Sequence, residues 1–219
     1  MPSPPADAPL LRLDGVVVRR GERPLFAPID LVLGRGDVVW LRGANGQGKT
    51  TLLRTLAGLA PAADGTIDCP TAPAFLGHGN ALKDDLTASE ALAFLGALRS
   101  ASGGRPRIEP AQLDIAFDRL GLPRRHRRAP VRTLSQGQRR RVALARFALP
   151  DPPALWLLDE PFDALDADGT ERVAGLVGAH AAAGGAILLT SHVPVVLGGG
   201  EPRTLALAPP VRAAAAVPA

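Results

Sequence analysis

The chain has no tyrosine, one cysteine and only two lysines in 219 residues. A single cysteine, Cys69, excludes an intrachain disulfide and fits a reducing compartment. No apolar run approaches the ~18 residues needed to span a bilayer. The best stretch, 181–190, is about half that length and contains Gly184 and Gly185. The N-terminus MPSPPADAPL lacks a basic segment followed by an apolar core, so it does not read as a secretory signal. These absences lead to the expectation of a cytosolic protein, unless a partner holds it at a membrane. Abundant Ala, Gly, Pro and Arg are what a GC-rich coding background produces, and against it the scarce Lys49 and Lys83 stand out.

With 46% hydrophobic and 21% charged residues, the composition is that of one folded domain, with room for a small subdomain. The net charge of +4 and pI near 10.4 permit nucleic acid, an anionic membrane or another acidic partner without choosing among them. The densest basic stretches, Arg124–Arg128 and Arg139–Arg141, are expected to be solvated helix faces.

Residues 1–9 are Pro-rich and expected to be frayed, and 209–219 form a low-complexity tail. Stretches 10–18 and 25–33 have strand character, with a hairpin expected at Gly21-Glu22. A short buried strand at 37–41 runs into glycines, and helical periodicity follows over 51–59. Further strands are expected at 66–68, 74–76, 154–158, 186–190 and 204–208. Helices are expected at 87–98, opened by a Thr87/Glu90 capping box, and at 111–120, 135–148 and 169–181, with a loop over 100–110. Alternating strands and helices imply an α/β fold with a mostly parallel sheet, antiparallel material at the start and an inserted helical subdomain at about 80–147.

Gly43-Ala-Asn-Gly-Gln-Gly-Lys-Thr50 fits G-x-x-x-x-G-K-[ST] between an expected strand and an expected helix. Glycines let such a loop turn its N–H groups inward, and the helix start adds positive potential for phosphate. Lys49 supplies a full charge to the β- and γ-phosphates, and Thr50 offers a hydroxyl to Mg²⁺. The run 154–158 delivers Asp159 and Glu160 to the carboxyl end of a buried strand, where open α/β sheets bind ligands. There Asp159 can hold Mg²⁺ and Glu160 can accept a proton from an attacking water. Leu134-Ser-Gln-Gly-Gln138 precedes a helix, Ala164-Leu-Asp166 follows the carboxylates, and His192 follows the next strand.

Five motifs in this order resemble the ATP-binding-cassette (ABC) ATPases over about residues 10–208. The resemblance implies an ABC-type P-loop nucleotide-binding domain that binds ATP and Mg²⁺. Its phosphate loop (Walker A) would use Gly43, Asn45, Gly46, Gly48, Lys49, Thr50 and Thr51. Its Walker B carboxylates would be Asp159, a metal ligand with Thr50, and Glu160, the general base. His192 would sense or orient the γ-phosphate. A second copy of the chain, packed head to tail, would bring Ser135, Gly137 and Gln138 of its signature, and Asp166 of its D-loop, to the nucleotide.

Where the family has a glutamine before the helical subdomain, this chain has His78, in which imidazole is a poorer Mg²⁺ partner than an amide oxygen. That leaves His78 a hydrogen-bonding role, or none beyond that of a loop residue. The adenine-stacking position falls on Arg20 or its neighbour Arg19, where a guanidinium can either stack on a purine or stay solvated. Asp163 stands where many members have serine. Leu76-Gly-His78, Ala81–Thr87, Leu134–Arg146 and Asp159-Glu-Pro-Phe162 are similar to the CcmA family, the ATPase subunits of the haem exporter of cytochrome c maturation. That likeness implies a CcmB-type membrane permease as partner, a CcmC-type haem-handling protein nearby, and a peripheral position on the cytoplasmic face of the bacterial inner membrane. A different transport cargo is the alternative. Nucleic acid is not expected as a partner, because the chain lacks the coiled-coil or zinc insertions and the second cassette of the ABC ATPases that act on DNA or ribosomes.

Overall fold

The computed structural model describes residues 8–103, 108–197 and 200–210, with residues 100–103 described by their backbone alone. The first strand, β1 (Leu11–Val17), precedes a two-residue hairpin, β2 (Arg19–Arg20) and β3 (Arg23–Pro24), which turns at Gly21-Glu22 as expected. Then come β4 (Ile29–Leu33), β5 (Val38–Arg42), α1 (Lys49–Leu56), β6 (Asp64–Asp68) and β7 (Ala74–Leu76). Four helices follow without an intervening strand: α2 (Ala88–Gly103), α3 (Pro110–Arg119), α4 (Arg124–Arg127) and α5 (Gln136–Ala145). The chain closes with β8 (Leu155–Leu158), α6 (Ala167–Ala182), β9 (Ala186–Thr190) and β10 (Arg203–Ala206).

Five strands form one parallel sheet in the order β10-β5-β9-β8-β7, and β4-β1-β6 form a separate antiparallel sheet. Both kinds of sheet were expected. The third antiparallel strand, β6, nevertheless comes from beyond α1 rather than from the start of the chain. β8 and β9 are buried at every position. Their side chains alternate between two cores. Leu155, Leu157 and Leu188 pack toward α1 and the antiparallel sheet, while Trp156, Leu158, Ile187 and Leu189 pack toward α2, α3, α5 and α6. Covering on both faces is why these strands read as continuous apolar runs.

Two expectations fail. The loop expected from residue 100 is still helix up to Gly103, since no proline interrupts the chain before Pro106. The short helix α4 falls on the basic stretch read as a helix face, although it carries no apolar periodicity. The basic stretches are not solvated faces throughout, because Arg127, Arg140 and Arg141 are buried. Arg127 donates to Asp114 and Asp118, one turn apart on α3, and to the Leu122 carbonyl. Arg141 donates to Asp166, Asp168 and the Leu120 carbonyl. Partners remote in sequence make these burials possible. The expected frayed ends, 1–9 and 209–219, lie mostly outside the described residues, and Leu10 N–H already bonds the Leu33 carbonyl.

Candidate nucleotide site

In the parallel sheet Leu41 pairs with Thr190, Leu158 with Leu189 and Leu76 with Leu158. The carboxyl ends of β5, β9, β8 and β7 are therefore level, and the residues that follow them emerge side by side. They enclose a cleft of about 210 Å³ lined by Arg20, Asn45, Gly46, Gly48, Lys49, Thr50, Thr51, His78, Asp159, Glu160 and His192, with Ala44. Larger grooves of about 480 and 730 Å³ flank α6, but neither gathers comparable polar groups.

The loop from β5 to α1 holds its shape through its own contacts. Gly48 caps α1 at φ +100°, and an added Cβ there would come within 2.8 Å of Leu25 Cδ1, so both conformation and space demand glycine. Gln47 accepts from the Ala44 N–H at 2.6 Å and donates to the Leu207 carbonyl at 2.7 Å, which pins the loop to the exit of β10. Lys49 Nζ donates to the Gly43 carbonyl at 2.7 Å. An ammonium folded onto a carbonyl is ready to exchange that partner for a phosphate oxygen.

Asp159 is 1% exposed, and both of its carboxylate oxygens are occupied. Thr50 Oγ1 donates to Oδ2 at 2.8 Å and Thr190 Oγ1 to Oδ1 at 2.9 Å. Glu160 sits at φ +49°, a left-handed conformation that non-glycine residues adopt only when neighbours impose it. The neighbours are identifiable. Its N–H donates to Thr190 Oγ1 at 2.8 Å, and its Oε2 accepts from the His192 N–H at 2.9 Å. The imidazole Nε2 of His192 lies 3.6 Å from its other oxygen. Trp40 Nε1 donates to the Ser191 carbonyl at 3.2 Å and so fixes the approach to His192.

Thr190, Trp40, Gln47 and Arg140 escaped the sequence reading. Thr190 had a signal, since it ends an apolar strand two residues before His192. The other three act through hydrogen bonds that no local pattern announces.

Thr50 and Asp159 place two hard oxygen donors in contact at the cleft, which suits Mg²⁺, an ion that takes its remaining ligands from water and phosphate. Among the described residues no group of three or more His, Cys, Asp or Glu forms a self-sufficient metal site.

Ser135, Gly137, Gln138 and Asp166 do not line this cleft. Ser135 caps α5 in a reciprocal box with Gln138, at 3.2 and 2.9 Å. A Cβ on Gly137 would approach the Ala164 carbonyl to 2.6 Å, so the start of α5 lies against the Ala164–Asp166 turn. Asp166 caps α6 by accepting from the Gly169 N–H at 2.8 Å. That bond and the Arg141 guanidinium hold its carboxyl below the usual carboxylate range.

The family model for ABC transporters matches residues 26–163, from just before β4, through the phosphate loop, to just past Glu160. The chain belongs to the ABC transporter family. Within it, the chain is 47% identical over 195 residues to the cytochrome c biogenesis ATP-binding export protein CcmA of Bordetella bronchiseptica, covering 84% of this chain and 83% of that protein. To the protein of the same name from Nitrosococcus oceani it is 44% identical over 196 residues, covering 84% and 86%. At that identity and coverage it is a member of the CcmA family. A bacterial ABC transporter cassette solved as a dimer superposes with a TM-score of 0.77, at 23% identity over 90% of this chain and 94% of that one. The ATP-binding subunit of another ABC transporter superposes with a TM-score of 0.75, at 23% identity over 91% and 86%. Both share the ABC cassette fold. Among the described residues no helix of this ABC protein is long and apolar enough to cross a membrane.

Proposed function

We propose that the chain is the ATP-hydrolysing subunit of the haem exporter of cytochrome c biogenesis, working as a head-to-tail dimer. The supporting observation is the cleft itself, which unites Lys49, Asp159, Glu160 and His192 but leaves Ser135, Gly137 and Gln138 outside. In such a dimer the signature of one copy closes over the ATP held by the other, and Asp166 sits at the seam.

The phosphate loop and Lys49 bind the β- and γ-phosphates of ATP. Thr50 and Asp159 would hold Mg²⁺, which neutralises charge on the phosphate oxygens. Glu160, aimed by Thr190 and the His192 N–H, accepts the proton of the water that attacks the γ-phosphorus as the bond to the bridging oxygen breaks. The His192 imidazole orients the γ-phosphate. The chain's contribution is mainly positioning and fixed charge. Arg20, at the cleft rim, stacks on adenine in place of an aromatic ring. His78 lines the cleft on the side of the helical subdomain and reports its occupancy to the membrane partner.

That partner is a CcmB-type integral membrane permease, which the chain meets as a peripheral subunit on the cytoplasmic face of the bacterial inner membrane, with a CcmC-type haem-handling protein nearby. It docks in the groove between the sheet and the helical subdomain, 80–147. A tagged pull-down from solubilised membranes, read by mass spectrometry, tests this. Recovery of a CcmB-like permease, together with loss of c-type cytochromes when the chain is deleted, is the expected result. Recovery of a different permease with normal cytochrome c overturns the cargo and leaves the ATPase reading in place.

A further inference from the structure

Arg140 lies on α5, five residues beyond the cap that Ser135 forms. It is 3% exposed, among the most buried charged groups of the described chain. Its hydrogen bonds go to neutral oxygens on two sides. On one side Nη2 donates to the carbonyls of Asp159 at 2.7 Å and Glu160 at 2.5 Å. On the other, Nη1 donates to the Gly77 carbonyl at 3.1 Å and to Asn80 Oδ1 at 3.0 Å, with the His78 carbonyl at 3.5 Å.

Burying a cation against neutral acceptors is unfavourable, and a neutral side chain would be cheaper if the position served packing alone. Desolvation lowers the pKa of Arg140, opposed by the charges of Asp163, Asp159 and Glu160. What the guanidinium offers in return is geometry. Its planar fork can hold two separate backbone segments at once, whereas an ammonium on a flexible stem cannot. The two segments are the carboxylate turn after β8 and the His78 loop after β7, and the anchor is the helix that starts at Ser135.

Glu160 is held in its left-handed conformation by four hydrogen bonds: its N–H by Thr190, its carboxylate by the His192 N–H, and its carbonyl by the Asp163 N–H at 3.1 Å and by Arg140. Only the Arg140 tether comes from the helical subdomain. We infer that Arg140 is a positioning residue for hydrolysis, fixing the Glu160 peptide and the His78 loop to α5 so that movement of either is transmitted to the catalytic carboxylate. The inference rests on Glu160 being the general base.

The test uses Arg140→Met, which keeps the stem, and Arg140→Lys, which keeps the charge, each alone and combined with Glu160→Gln. Nucleotide affinity is measured with a fluorescent ATP analogue, turnover at saturating Mg-ATP, and folding by thermal melting. Both single variants are expected to bind nucleotide within about threefold of wild type and to lose ~10–10² in kcat, the scale of a misplaced reacting group. In the Glu160→Gln background the same changes should alter residual turnover by less than about twofold, because what Arg140 positions is already gone. Undiminished kcat in either single variant overturns the inference, as does a loss confined to KM or one that persists in full without Glu160. Should Arg140→Met fail to fold, Arg140→Lys carries the test, and failure of both makes the residue structural and overturns it too. Full turnover in Glu160→Gln alone would instead remove the general-base reading, a separate outcome.

Discussion

Replacing Thr190 by valine removes one hydroxyl, keeps the side-chain shape and breaks the link between the Glu160 backbone and the Asp159 carboxylate. Thr190 is fully buried, accepts from the Glu160 N–H at 2.8 Å and donates to Asp159 Oδ1 at 2.9 Å. The hydrogen bond to an ionised carboxylate contributes about 1.5–3 kcal/mol, and stranding a buried N–H costs about 1–3 kcal/mol. Partial relaxation leaves a net loss of about 3 kcal/mol in unfolding free energy, well within reach of urea denaturation. Catalysis suffers by a different route. A left-handed non-glycine residue stores about 1–3 kcal/mol of strain, and without its N–H tether Glu160 can release it. Relaxation by about 2 kcal/mol corresponds to roughly a thirtyfold fall in the population of the productive conformer. The steady-state Mg-ATPase assay should therefore show kcat down by ~10–10²-fold, with KM moved much less because Lys49 and its loop are untouched. Thr190→Ser keeps the hydroxyl and should retain most activity. A valine variant with wild-type kcat and an unchanged urea midpoint would mean that Thr190 does not hold Glu160 in its productive conformation.

Glu160→Gln should bind ATP normally and lose ~10²–10⁴ in turnover, the usual contribution of a general base, measured by phosphate release. His78→Gln should leave the basal ATPase of the isolated chain close to wild type but change the stimulation given by the co-purified permease; unchanged stimulation and unchanged cytochrome assembly would dismiss the coupling role. His180 stacks on Trp156 at 3.7 Å, and burial lowers its pKa below the ordinary value of 6.5, against a weaker opposing contact with the Ala154 carbonyl. As pH falls below that ordinary value the unfolded chain takes up the proton first, so stability drops with acidification until the lowered folded pKa is passed. Urea unfolding at pH 7.5 and about 5.5 should show a steeper loss for wild type than for His180→Phe, by at most about 1.4 kcal/mol per pH unit. Equal pH slopes would mean that His180 titrates alike in both states.

The phosphate loop, the carboxylate pair and His192 were legible because phosphate chemistry restricts residue type at fixed spacing, and their strand-end context was legible from the apolar runs. β8 and β9 were legible for the same reason that they are buried on both faces. Arg127, Arg140 and Arg141 misled because a run of arginines looks solvated until its acceptors are known. Asp114, Gly77 and Asp166 lie 13, 63 and 25 residues from the arginines they satisfy. Thr190 and Trp40 act across strand pairings, which apolar periodicity predicts as content and not as register. The hairpin places Arg20, and not Arg19, along the cleft, a placement that apolar content likewise does not announce.

If this cleft is half of an ATPase site completed by Ser135 of a second copy, Mg-ATP must join two chains. Sedimentation velocity of Glu160→Gln with and without Mg-ATP measures that step. A nucleotide-dependent shift from monomer to dimer is expected, which Ser135→Arg abolishes without weakening nucleotide binding to the monomer. A chain that binds Mg-ATP and remains monomeric at every concentration, while the wild type hydrolyses ATP at a rate per molecule independent of protein concentration, would contradict it.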